Sequence, residues 1–265
     1  MTNLNDLTPD LVIHSLEDMR SAIRSYPRKT PGLARYQDML IAFDDVLALY
    51  SEVRNILMQG IYDFPATRPD AFIIDGGAHL GVTALRFKHR HPQATVLCFE
   101  PSPEVLPLLY RNIAGNALSG VSVVEAGLAP GQGTSAFLPD GADGGRMMAE
   151  ASGGTTVPTV SLSRYIQGRV DMLKLNIEGM EYPVLLELQQ SDCLHHIDRM
   201  IIEYHGWPNA SQTLGHILNI LAENGFRYLI HDFDAETNPA SKPPFLANRD
   251  ELWFALIHAR RVRSA

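Results

Sequence analysis

The chain is poor in several features that would each point to a function. No apolar run approaches the ~20 residues of a membrane-spanning helix. The first ten residues, MTNLNDLTPD, carry neither a basic segment nor an apolar one, so no secretory signal is read and a cytoplasmic location is expected. There is no excess of basic residues: 22 Lys and Arg stand against 30 Asp and Glu, a formal charge of −8. Broad nucleic-acid binding, whose footprint is a basic face, is therefore not expected. The three arginines of the C-terminal HARRVRSA read as a solvated tail. Cysteine is nearly absent. Of the two, Cys98 lies within the apolar run ATVLCF and reads as a packed thiol in a strand. The glycine pattern of nicotinamide sites, G-x-G-x-x-G, is missing as well.

What is present is the composition of an ordinary globular protein, 45% apolar and 20% charged over 265 residues. That length accommodates one large α/β domain with an extension. Residues 1–66 read as a helical extension or cap. DDVLALYSEVRNILMQG repeats apolar residues close to every 3.6 and stops at Gly60, and TPDLVIHSLEDMRSAI reads the same way, with Thr8 as cap. From residue 67 onward the rhythm is strand, helix, strand. AFIID, ATVLCFE, VSVVEAG, RVDMLKLNI, DRMIIEYH, FRYLIHDF and LWFALIHAR are strands, mostly alternating with helices. Runs this apolar indicate a largely parallel sheet covered on both faces. The last two strands have no helix between them, which predicts a terminal antiparallel hairpin on a doubly wound sheet. Ser102 and Pro103 are read as the start of the helix after the second strand. The glycine-rich stretch from 128 to 162, with short strands at TSAFL and TVPTV, is an excursion. Its part at 139–156 is expected to form a substrate lid.

The turn FIIDGGAHLG, residues 72–81, carries the chemistry. The spacing that fits is D-x-G-x-x-x-G, at Asp75, Gly77 and Gly81. Without a first glycine the loop is ill suited to hug a pyrophosphate against the helix. An acid there would repel phosphate and suit an ammonium or sulfonium charge. Glu100, 25 residues after Asp75 at the end of the second strand, is placed to accept both hydroxyls of a ribose.

FIIDGGAHLG, CFEPSPEVLPLLYRN, VDMLKLNIEGMEYPVLLEL and MIIEYH together resemble the FkbM-type S-adenosylmethionine-dependent methyltransferases, from about residue 60 to the end. The resemblance implies a class I methyltransferase (Rossmann-like) fold with sheet order 3-2-1-4-5-7-6 and the last strand antiparallel. It implies S-adenosyl-L-methionine as cofactor and O-methylation of a hydroxyl on a sugar or natural-product scaffold. N-methylation of a small-molecule amine and a non-catalytic cofactor-binding protein are the rival readings. The family usually has Asn at His79 and frequently Asp at Asn176. On this reading Gly77 and Gly81 let the backbone approach the methionine part, Asp75 holds the turn, and His79 belongs to the same loop. Glu125, Ala126 and Gly127, at the tip of the third strand, lie beside adenine, and Tyr62 in GIYDF closes over the cofactor.

On the fourth strand Lys174 and Asn176 share a face, and Glu178 follows where the strand opens into a loop. Ligands of doubly wound sheets bind beyond the carboxyl ends of the strands, which places Asn176 and Glu178 in the cleft. A buried lysine must be paired, and Glu203 or Glu178 is the expected partner of Lys174. His205 is expected to be the base that takes the acceptor's proton, since imidazole titrates near neutrality, with Glu178 second and Asn176 beside them. These oxygen-bearing residues leave room for a divalent metal, but no spacing demands one. A homo-oligomer joined through the N-terminal helices is the expected assembly, if there is one.

Overall fold

A computed structural model describes residues 8–139, 145–148, 154–207, 210–231 and 252–262. The N-terminal segment corrects the expectation of an all-helical extension. It holds a three-stranded sheet of β1 (Leu11–Ile13), β2 (Gly32–Tyr36) and β3 (Met39–Phe43) beside two helices, α1 (Leu16–Ser25) and α2 (Val46–Glu52). The helix read from Thr8 starts later. Leu11, Val12 and Ile13 pair with β2 instead, and Ser15 with Asp18 forms a reciprocal capping box at the start of α1. The β2–β3 hairpin turns at Gln37, which adopts a positive φ of 54°. Gln-Asp is not the Asn-Gly or Asp-Gly signature that makes such a turn readable. The expected second helix is present, capped by Asp45, whose side chain accepts from the Leu47 amide at 2.7 Å. It runs on into a π-helical segment, Val53–Met58.

The central sheet follows. β4 (Phe72–Gly76), β5 (Thr95–Phe99), β6 (Val121–Val124), β11 (Met172–Leu175), β12 (Arg199–Gly206), β13 (Phe226–His231) and β14 (Trp253–Arg261) make one seven-stranded sheet. Its order is β6-β5-β4-β11-β12-β14-β13, which is 3-2-1-4-5-7-6 counted along the chain. Six strands point the same way, and β14, between β12 and β13, is antiparallel to both. Alternation sends Ile73 and Ile74 to opposite faces, into two separate cores. Cys98 is fully buried, and burial pushes its thiol well up, as suits a packing residue.

Helices α3 (Val82–Arg90) and α4 (Leu106–Gly115) follow β4 and β5. α4 begins three residues beyond the expected Pro103, because Ser102 and its neighbours form a turn whose carbonyl accepts from the Val105 and Leu106 amides. Helices α5 (Glu181–Gln190) and α6 (Leu214–Glu223) cover the other face. The excursion folds as a second sheet of β7 (Gly127–Leu128), β8 (Gly133–Pro139), β9 (Gly145–Met148) and β10 (Thr155–Val160), in the order β7-β10-β8-β9. The two short strands expected there are present. Much of the expected lid, residues 140–144 and 149–153, lies outside the described residues.

The N-terminal sheet is fastened to the central domain by Asn112 of α4 and Asn116, the residue that caps its end. Asn112 accepts from the Ala42 amide at 2.6 Å and donates to the Ala42 carbonyl at 3.0 Å. Asn116 does the same to Leu40, at 2.8 and 2.7 Å. The pair lies one helical turn apart and matches the two-residue period of the strand edge. Asn112 also donates to the Leu80 carbonyl at 2.8 Å, which ties the extension to the loop after β4.

Candidate active site

At the carboxyl ends of the parallel strands a cavity of about 1120 Å³ opens between the central sheet and the N-terminal segment. The loop after β4 forms its floor. Gly77, His79 and Gly81 all have positive φ, at 80°, 47° and 82°. A Cβ on Gly77 would lie 1.8 Å from the Asn176 carbonyl oxygen, so only glycine lets these neighbouring loops pass. His79 is in the left-handed region, which asparagine and histidine tolerate better than most residues.

The amides of this loop are already used. Gly77 and Ala78 both donate to the Phe99 carbonyl at 3.0 Å, His79 donates to Glu100 Oε2 at 2.8 Å, and Gly81 donates to Ala78 at 2.8 Å. Glu100, 5% exposed, takes the Ser102 amide on its other oxygen at 2.8 Å. Burial pushes its carboxyl up while His79 and the two amides pull it back. A phosphate at this floor would find no amide of these four to donate to it.

Acceptors line the walls instead. Asn176 Oδ1 and Glu52 Oε2 are buried and have no hydrogen-bond partner among the described residues. Glu178 and Glu203 add carboxylates at the β11 and β12 rim. Tyr62 donates to Glu203 Oε2 at 2.5 Å and takes a long contact, 3.4 Å, from Asn176 Nδ2. Burial and the Glu203 charge raise the Tyr62 hydroxyl well above its ordinary range.

The family description "Methyltransferase FkbM domain" matches residues 75–228, more than half of the chain. The chain belongs to the FkbM methyltransferase family. Methyltransferase sdnD of Sordaria araneosa is 31% identical, over 50% of this chain and 66% of that protein. The 2-O-methyltransferase NoeI of Sinorhizobium fredii is also 31% identical, over 39% of this chain and 42% of that protein. The chain thus spans about two thirds of the first relative and under half of the second. Among solved structures, P. horikoshii TYW2 in complex with MeSAdo aligns with a TM-score of 0.50 at 14% identity, over 89% of this chain and 72% of that one. That likeness concerns the fold alone.

Of the residues expected to touch a cofactor in an FkbM chain, Gly77, His79, Glu100, Ala126, Gly127, Asn176 and Tyr62 line the cavity. Three do not. Asp75 is fully buried beneath the loop, where burial pushes its carboxyl up and Lys174 Nζ stands 3.0 Å from Oδ1. Lys174 was expected to pair with Glu203 or Glu178. It pairs with Asp75 because β4 and β11 are neighbours and the two residues stand in register. Its other hydrogens go to the Gly77 carbonyl at 2.5 Å and the Gly76 carbonyl at 3.2 Å. Asp75 therefore braces the loop from below and does not face a ligand. Gly81 begins α3, where a Cβ would meet Leu109 at 2.5 Å, so it serves helix packing. Glu125 is exposed and accepts from Tyr110 at 2.8 Å, on the outside of the strand tip.

His205 lines the cavity but its chemistry differs from the expectation. It is buried among three carboxylates: Glu181 at 3.0 Å from Nδ1, Glu178 at 3.5 Å and Glu203 at 3.9 Å from Nε2. Desolvation opposes its charge, but Glu178 and Glu181 prevail and lift the pKa to about 10. At neutral pH the ring is an imidazolium with no lone pair to take a proton. The sequence reading missed this because it weighed the ordinary imidazole pKa without Glu181. That residue, 1% exposed, also takes the Ile177 and Gly179 amides at 3.2 and 3.0 Å. Glu52 was missed as well, since the N-terminal segment was treated as a cap and not as a wall of the site.

Proposed function

We propose that the protein transfers a methyl group from S-adenosyl-L-methionine to a hydroxyl of a sugar or natural-product scaffold. The observation that carries this reading is the polarity of the cavity: the amides of Gly77, Ala78, His79 and Gly81 are used internally, and the buried oxygens Glu52 Oε2 and Asn176 Oδ1, without a partner among the described residues, line it. Such walls suit a donor with sulfonium and ammonium charge and disfavour a dinucleotide pyrophosphate. Glu100, held at the end of β5, is the ribose acceptor on this reading, and Ala126 and Gly127 border the adenine. The relative NoeI, a 2-O-methyltransferase, supports oxygen as the acceptor atom.

The bound cofactor supplies an activated methyl group, and this chain's residues align the acceptor and receive its proton. With the cofactor bound, the S–CH3 bond would break with its electron pair left on the departing thioether, and Glu178 would be the carboxylate that takes the acceptor hydroxyl's proton. His205, as imidazolium, holds the carboxylates of Glu178 and Glu203 in place. Tyr62, itself contacted by Asn176, orients Glu203. Glu178→Gln should lower turnover by ~10²–10⁴-fold with cofactor affinity unchanged. A labelled-cofactor screen against glycosides and natural-product alcohols, with calorimetry on the same variants, checks this. Full turnover in Glu178→Gln would remove it as the base.

A further inference from the structure

The segment matching the FkbM family begins at residue 75, yet one wall of the cavity comes from before it. Glu52, the last residue of α2, is 8% exposed and lines that wall. Its Oε1 lies 2.6 Å from His79 Nδ1. Its Oε2 is buried and has no hydrogen-bond partner among the described residues. A buried carboxylate oxygen left without a donor is costly, so native sites seldom keep one without a use. Its surroundings within the protein offer little: the nearby loop amides are committed to Phe99 and Glu100. A neighbouring acid, Asp44, has an oxygen in the same condition on the same wall. Two buried acid oxygens on one wall suit a ligand group bearing several N–H donors.

We propose that Glu52 is the counter-ion of the α-ammonium group of the methyl donor, a cofactor-binding residue outside the family-matched segment. The inference rests on the cofactor assignment above. Three features place the ammonium here. His79 links Glu52 directly to the loop that forms the cavity floor. Asn112 ties that same loop and β3 to one helix, which holds α2 in register with the floor. Of the other buried acceptors that line the cavity without a partner among the described residues, Asn176 Oδ1 is uncharged and stands on the Tyr62 side, while Asp44 Oδ1 belongs to Glu52's own wall. The negative charge an ammonium needs is therefore on this wall, and Glu52 is the acid there that His79 joins to the floor. The N-terminal segment is then part of the cofactor site, and His79 sets the orientation of the Glu52 carboxylate.

The test compares ligands that differ only in the amino-acid part. Calorimetry is run with S-adenosylhomocysteine, which carries the ammonium, and with 5′-methylthioadenosine, which lacks it. Glu52→Gln should weaken the first roughly 10- to 100-fold, as expected for a lost charge-assisted hydrogen bond, and leave the second within about twofold. Equal loss for both ligands would mean that Glu52 only props the loop, and no loss would mean that it is not a contact; either overturns the proposal. A second measurement needs no variant. The wild-type protein should bind the desamino analogue of S-adenosylhomocysteine more weakly by a similar factor, and equal binding overturns the proposal while leaving the cofactor assignment standing. Wild-type protein that binds neither adenosyl ligand overturns the assignment, and the role of Glu52 with it.

Discussion

His205 shows how far a residue's role depends on neighbours that its own position in the sequence does not reveal. The strand-end histidine was legible, and so was its place at the rim. Its charge was not, because Glu181 arrives from the first turn of α5, 24 residues away in the chain, at 3.0 Å from Nδ1. The same holds for Lys174, whose partner is fixed by which strand lies beside β11. A consequence follows for stability. The folded pKa of His205, about 10, lies above the ordinary histidine value of 6.5. The imidazolium's contribution is therefore complete below pH ~6.5 and is lost as pH rises through about 10. Thermal unfolding of wild type and His205→Gln should differ most near pH 6 and converge toward pH 10. A gap that stays constant over that range would show that the ring is neutral throughout.

Among elements, those with strong periodicity and recognisable ends were readable: the seven strands, α2, and the two strands of the excursion. The ones that escaped were short or lacked turn chemistry. β1 is three residues long, and the β2–β3 hairpin turns through Gln37 and Asp38. Nothing in residues 32–43 announces that the sheet's free edge will be satisfied by side chains of α4 and its cap. Asn112 and Asn116 together make four hydrogen bonds to the backbone of β3, and removing buried partners of this kind costs about 1–3 kcal/mol each. Asn112→Ala should thus destabilise the N-terminal sheet more than the central one. Amide hydrogen exchange would register this as faster exchange at Ala42 and Leu40, with β4 and β5 unchanged. Uniform acceleration across both sheets would indicate a single cooperative unit.

For the whole molecule, the seven-stranded sheet is arranged so that one cavity gathers residues from the loop after β4, from β5, β11 and β12, from β7 of the second sheet and from the N-terminal segment. The strand pattern made the doubly wound sheet and its terminal hairpin legible, whereas the strand order came from the resemblance to the FkbM chains. The reason the loop disfavours phosphate differs from the expected one. Asp75 does not face the cavity; it disfavours phosphate only by bracing a loop whose amides are turned inward. No helix among the described residues is long and apolar enough to cross a membrane. The central claim is that an acceptor-walled cavity binds an adenosyl methyl donor and not a dinucleotide. Isothermal titration of the wild-type protein with S-adenosylhomocysteine, followed by NAD in competition, tests it most directly. The account predicts saturable one-site binding of S-adenosylhomocysteine that millimolar NAD does not displace. Binding of NAD, or no heat from S-adenosylhomocysteine under any condition in which the protein is folded, would contradict it.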